Sequence, residues 1–301
     1  MEEINISKRE RISKRGVAME RSRMLGVLFA DKSNNGLTHA YFSGVLNSFK
    51  VQAEEKGYDI AFLNCNKSGE NRMSYAEQIR YRNYDGIIIA CIDFGDDEVK
   101  ELMEMDVPVV VIDEDMDGVA CVISDNVEGL KAMVDYLIEL GHKRIAYITG
   151  DDNTVTRARL EGFYEECGKH GIEIPDEYVK HSNYRDMRKA SFFTEELMRL
   201  PEPPSCIIYS DDYAAIGGMN ILHARGVEIP DEVSVTGYDG LDILAQCEPR
   251  LTTVKQDTEG IGRTAANKLI ELIEHPDTAQ KDKTVVPTAL EKGKTAGRVY
   301  Y

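Results

Sequence analysis

Residues 205–239 read SCIIYSDDYAAIGGMNILHARGVEIPDEVSVTGYD. The stretch opens on SCIIYS (205–210), an apolar run of strand length. It continues through DYAAIGGMNILHARG (212–226), of helical length and ending in a helix-stopping glycine, and closes on EVSVTGYD (232–239), a second β-branched run. Strand, helix and strand in this order form a β-α-β unit, whose two strands lie parallel in one sheet.

The same rhythm runs outward from this unit. Strand candidates upstream are MLGVLFA (24–30), YDIAFLN (58–64), YDGIIIA (84–90), VPVVVID (107–113) and KRIAYITG (143–150). Runs such as IIIA and VVVI suit strands buried on both faces, as in a parallel sheet covered by helices. Helices are expected over 38–57, 126–141, 156–171, 188–200 and 257–275. The helix at 126–141 sets Leu130, Met133, Val134, Leu137 and Ile138 on one stripe. The fold class is therefore α/β and doubly wound. The rhythm is too long for one sheet, and polar breaks occur near 150–156 and 249–257. Two parallel-sheet lobes follow, with a ligand cleft between them and the chain crossing more than once. The expected division is a basic N-terminal segment (1–23), an N-terminal lobe (24–149 plus about 256–284) and a C-terminal lobe (150–255 plus about 285–301).

Net charge is −17. Residues 1–23 hold seven basic and four acidic side chains, so the body carries −20 and should repel phosphate. No run approaches the roughly 20 apolar residues of a membrane span, and the polar N-terminus has no apolar export region. The six cysteines are dispersed with no C-x-x-C, which suits buried free thiols in a reducing, cytoplasmic compartment, and no metal-ligand spacing appears. A lone G-x-G at 260–262 lies inside a helix pattern, and neither G-x-x-x-x-G-K-[ST] nor G-x-S-x-G occurs. The expectation is a protein that is not an enzyme and carries no cofactor.

Six phrases, LGVLFADKSNN (25–35), SDNVEGLKAMVDYLIELGH (124–142), LGHKRIAYITG (140–150), RLEGFYEEC (159–167), SDDYAAIGGMNILHARGVEIPDEVSVTGYD (210–239) and PRLTTVKQD (249–257), resemble the lactose-repressor/galactose-repressor (LacI/GalR) family of transcription regulators. The likeness spans about residues 24–290. It implies a periplasmic-binding-protein type I architecture, a homodimer and a sugar-like effector sensed between the lobes. It also implies operator DNA contacted through a helix-turn-helix headpiece, for which the 23 residues before the first strand are too few. The alternative is the sugar-binding component of a transport system, which shares the fold.

Side chains at the carboxyl ends of strands face the cleft in such folds. That rule selects Asn34 and Asn35 after the first strand, Asp93 after IIIAC, and Asp211, Asp239 and Gln256 further on. The resemblance implies that Arg159, in RLEGF, reaches the effector, that Asp239 is its acidic partner, that Gln256 lies at a crossing, and that Tyr184 supplies an aromatic wall. Carboxylates accept from sugar hydroxyls, and arginine offers a planar fork to their oxygens. Each residue also has a bland reading. Arg159 could pair with Asp152 or Glu161, Asp239 could cap a turn, one of Asp211 and Asp212 could be a helix N-cap, and Asn34 and Asn35 could simply form a turn.

Overall fold

A computed structural model describes residues 21–30, 36–66, 72–246 and 248–299. The basic segment expected at 1–23 therefore lies almost wholly outside the described residues, as do Asn34 and Asn35.

The first half of the chain lays down β1 (Met24–Phe29), α1 (Ala40–Glu55), β2 (Asp59–Phe62), α2 (Tyr75–Arg82), β3 (Gly86–Ala90), α3 (Asp97–Met103), β4 (Val109–Ile112) and β5 (Ala120–Ser124). After α4 (Asn126–Glu139), the elements are β6 (Ile145–Thr149), α5 (Thr154–Lys169), β7 (Val179–His181), α6 (Met187–Met198), β8 (Cys206–Tyr209), α7 (Asp212–Ala224), β9 (Ser234–Asp239) and β10 (Thr252–Gln256). Then α8 (Thr258–Glu274), β11 (Lys283–Val286) and β12 (Thr288–Glu291) close the fold. Two six-stranded sheets result, ordered β2-β1-β3-β4-β5-β11 and β7-β6-β8-β9-β10-β12. Every pairing is parallel except β10 with β12. In each sheet the order reverses beside the first-formed strand, so a crevice opens at the carboxyl edge between β1 and β3 and between β6 and β8.

Period-2 alternation explains why the strands are apolar throughout. In the first sheet Leu25, Val27, Ile88 and Val110 pack under α1 and α8, while Ile87, Ile89, Val109 and Val111 pack under α2 and α3. The second sheet is covered in the same way, by α6 and α7 on one face and by α4 and α5 on the other.

The first crossing falls at Asp125, earlier than the break near 150 that the sequence suggested. α4 packs on α5 and β12, and β6 pairs with β7 and β8, so residues 126–149 stand with the second sheet. The polar stretch at 150–156 leads from β6 into the first turn of α5 and is not a linker. The chain returns at Asp257 and crosses again at Pro287. The crossings are tied together: Asp125 N donates to Val286 O (2.9 Å), and Thr288 Oγ1 donates to Asp125 O (3.4 Å).

Gly162 shows how closely α5 approaches α4. A Cβ there would stand 2.3 Å from the backbone oxygen of Val127. Alanine normally favours a helix by about 1 kcal/mol over glycine. Here backbone meets backbone, and neither can rotate away. Gly162→Ala should therefore lower stability by about 2 kcal/mol net, read as a lower urea midpoint. An unchanged or raised midpoint would show that the helices part freely.

Candidate functional site

The carboxyl edge of the second sheet carries a buried polar array. Arg159, 3% exposed, lies in α5 and turns back over this edge. Its Nε donates to Asn126 Oδ1 (2.8 Å) and its Nη1 to Ser210 O (2.9 Å). The guanidinium carbon stands 3.5 Å from the Tyr238 ring centroid and 5.7 Å from that of Tyr184. No described residue accepts from Nη2, which leaves one face of the planar fork for a ligand. The ion pairs considered from sequence do not form, because Asp152 is held instead by Arg157 (2.9 Å).

Asp239 ends β9 with φ of 106°, a conformation unfavourable for a side chain with a Cβ. Its carboxylate accepts from Gln256 Nε2 (2.8 Å), and Gln256 Oε1 accepts from Ser124 Oγ (2.6 Å). Ser124 belongs to the first sheet and Asp239 to the second, so one hydrogen-bonded chain spans the crossing. Burial pushes the Asp239 carboxyl well above the ordinary carboxylate range, against the pull of the nearby Arg159 guanidinium.

The first sheet answers with Asp113, just past β4 with φ of 61°, and Tyr41 in the first turn of α1. Asp113 Oδ1 and the Tyr41 hydroxyl are buried and face one another. Burial raises Asp113 to about 6, with Tyr41, Arg159 and Ser124 opposing the rise. Thr154 Oγ1 at the start of α5 donates to Glu114 Oε1 (2.5 Å), a further contact between the halves. A cavity of 380 Å³ opens beside these groups, lined by Asp113, Ser124, Asn126, Thr154, Arg157 and Lys283 among others.

Tyr184 stands in the loop after β7 and forms a wall. Its hydroxyl bonds Thr156 Oγ1 (2.7 Å), and its ring covers Gly150, where a Cβ would lie 2.4 Å from ring carbons. Only glycine lets the ring lie flat on the end of β6. Asp211 is the N-cap of α7. Its carboxylate accepts from Ala214 N (2.9 Å), Ser210 Oγ (2.9 Å) and Arg185 N (2.8 Å), so it is committed to holding loops in place. Asp93 is exposed and accepts from Gly95 N (2.9 Å) in its own turn. The structure thus brings Arg159, Asp239, Gln256 and Tyr184 together, with Asp211 behind them and Asp93 apart.

Residues 134–296 match the family described as a periplasmic binding protein-like domain. The chain is 31% identical over 271 residues to the "Probable HTH-type transcriptional repressor ExuR" of Bacillus subtilis, covering 89% of this chain and 79% of that protein. The chain belongs to the LacI/GalR family. Among other LacI/GalR members, the ribose operon repressor of Escherichia coli is 28% identical over 286 residues, covering 93% of this chain and 84% of that one. The solved structure of the regulator CelR in complex with cellobiose shares the fold, with TM-score 0.79, 24% identity, and 91% and 85% of the two chains covered.

Asp113, Tyr41, Ser124, Asn126 and Tyr238 were not singled out in sequence. Asp113 ends a strand and was open to the strand-end rule that selected Asp93. Tyr41 sits in an apolar helix, and nothing local signals that its hydroxyl lies against Asp113.

Proposed function

We propose that this chain is the effector-sensing core of a LacI/GalR transcription regulator, and that a small sugar-like molecule is its signal. The lobes are 24–124 with 258–286, and 126–256 with 288–299. In this reading Arg159 and Asp239 grip the ligand from one lobe. Asp113 and Tyr41 close on it from the other, Gln256 couples the two, and Tyr184 covers an apolar sugar face. Asn34 and Asn35, which follow β1 in the sequence and lie outside the described residues, remain candidates by the strand-end rule alone, and Asp93 stands apart. The observation that carries the reading is the Ser124–Gln256–Asp239 chain beside Arg159, because a ligand that engages it touches both lobes at once.

Ligand binding shifts the lobe angle only by its differential affinity for the two angles, about 1–3 kcal/mol in typical allosteric proteins. In a cytoplasmic homodimer, that angle would set the spacing of headpieces on operator DNA. No helix among the described residues is long and apolar enough to cross a membrane. The named relatives are repressors, which favours a regulator over a transport component or an enzyme.

Calorimetry against a panel of hexoses, pentoses, disaccharides and sugar acids tests the reading. At least one sugar should bind, and Asp239→Ala should weaken it about 10- to 100-fold, the worth of the hydrogen bonds lost with the carboxyl group. Heats absent across the panel, or equal affinity in the variant, would defeat it.

A further inference from the structure

The loop between β7 and α6 holds a cation that the mechanism above does not use. Arg185 has φ of 60°, and its backbone N–H is fixed by Asp211 Oδ2 at 2.8 Å. Its guanidinium lies over Tyr213, 4.4 Å from the ring centroid, in the first turn of α7. Nε and Nη1 are both buried, and neither has a hydrogen-bond partner. No carboxylate among the described residues pairs with it, although the chain carries 53 acidic side chains. Other arginines of this half of the chain are matched: Arg157 has Asp152, and Arg225 has Glu195. A guanidinium cannot lose its proton, so enclosed donors without an acceptor are an unrelieved cost.

The position of this arginine gives that cost a use. The preceding residue is Tyr184, the wall beside Arg159. Asp211, which holds the Arg185 backbone, adjoins Ser210, whose carbonyl anchors Arg159. Arg185 therefore stands on the same edge of the second sheet as the effector site. We propose that the effector is a sugar acid, whose carboxylate is received by Arg185 while its hydroxyls meet Arg159 and Asp239.

A carboxylate fits better than a phosphate ester. One planar guanidinium matches one planar carboxylate, whereas a phosphate dianion draws on several donors. The neighbouring helix end offers few, because Asp211 already takes the Ala214 amide of α7. Burial raises both Asp239 and Asp113, which lessens the negative charge an incoming carboxylate would meet.

This inference rests on the sugar-sensing reading, and its test separates the two. Calorimetry is run on the full chain with galacturonate and galactose, glucuronate and glucose, and galactose 6-phosphate, using wild type, Arg185→Ala and Arg185→Lys. Wild type should bind one acid at least tenfold tighter than its neutral parent. Arg185→Ala should abolish that preference while leaving the neutral sugar's affinity unchanged, and Arg185→Lys should restore part of it. Circular dichroism and a thermal melt establish that the variants fold, and the unchanged neutral-sugar affinity shows that the site is intact. Neutral sugars binding as tightly as acids, or a preference that survives in Arg185→Ala, would overturn the proposal and leave sugar sensing standing. Tighter binding of the phosphate ester would reassign Arg185 to that class. If neither acids nor neutral sugars bind, both readings fall together.

Discussion

Replacing Arg159 with methionine should abolish ligand binding and lower folding stability by about 3 kcal/mol, the scale expected when one partner of a buried charged network is removed. Methionine has similar length and fills much of the space, so a cavity contributes little. The loss comes from polar groups left behind. Asn126 Oδ1 and Ser210 O each lose a donor at 2.8 and 2.9 Å, and Tyr238 loses the cation 3.5 Å from its ring centroid. Asp239 loses the guanidinium whose charge offsets its burial, in a setting that already raises its pKa. It can escape a bare buried charge by staying protonated, which caps the penalty below the sum of the parts. Two measurements check this. The urea midpoint should fall with an unchanged slope, and calorimetry should give no heat with a sugar that wild type binds. A variant with wild-type midpoint and affinity would make Arg159 a bystander and end the proposed site.

The sequence was most readable where chemistry and geometry share a period. Continuous apolar runs such as IIIA and VVVI required two covered faces, and the seven strands read from them appear as β1–β4, β6, β8 and β9. The elements that escaped lack that signature. β10 is TTVKQ, polar but for Val254, yet Thr252 and Thr253 are buried because their hydroxyls have partners: Thr253 Oγ1 donates to Asp212 Oδ1 (2.6 Å), and Thr252 Oγ1 accepts from Gly293 N (3.0 Å). α2 is YAEQIRYR, too short and polar for a stripe, and is held by a capping box between Ser74 and Glu77. The misplaced crossing has the same origin. A polar loop looks alike whether it joins two lobes or leads from a strand to its own helix, and only the pairing of β6 decides. For the site, strand ends gave direction but not distance. Gln256 and Asp239 were readable as neighbours of a cleft. That Ser124 reaches Gln256 from the other sheet depends on three crossings lying side by side, which no local pattern records.

Asp113→Asn should stabilise the protein at pH 8 and remove much of the loss of stability that wild type shows between pH 4 and 7. Burial moves the Asp113 carboxyl from 3.8 to about 6. Between those values the folded chain keeps a proton that the unfolded chain has released. The native state is therefore favoured at low pH, and that advantage disappears as pH rises through about 6. Above it, the ionised form carries the full difference, about 3 kcal/mol at most from the size of the shift, and less once water and neighbouring groups relax. Asparagine keeps the shape, is among the few residues that tolerate φ near 61°, and cannot ionise. The variant's advantage over wild type should thus be about 1–3 kcal/mol at pH 8 and near zero at pH 4, read from urea midpoints at both. Asp212, raised to about 7 by burial, acts in the same sense in both proteins and cancels from the difference. Equal midpoints at pH 8 would place the cost elsewhere. A buried carboxylate at φ of 61° that lowers stability at neutral pH is better explained by the proposed effector site, where it faces Tyr41 across the cleft from Arg159, than by the needs of the fold. The same variant should therefore bind the effector more weakly while folding more tightly.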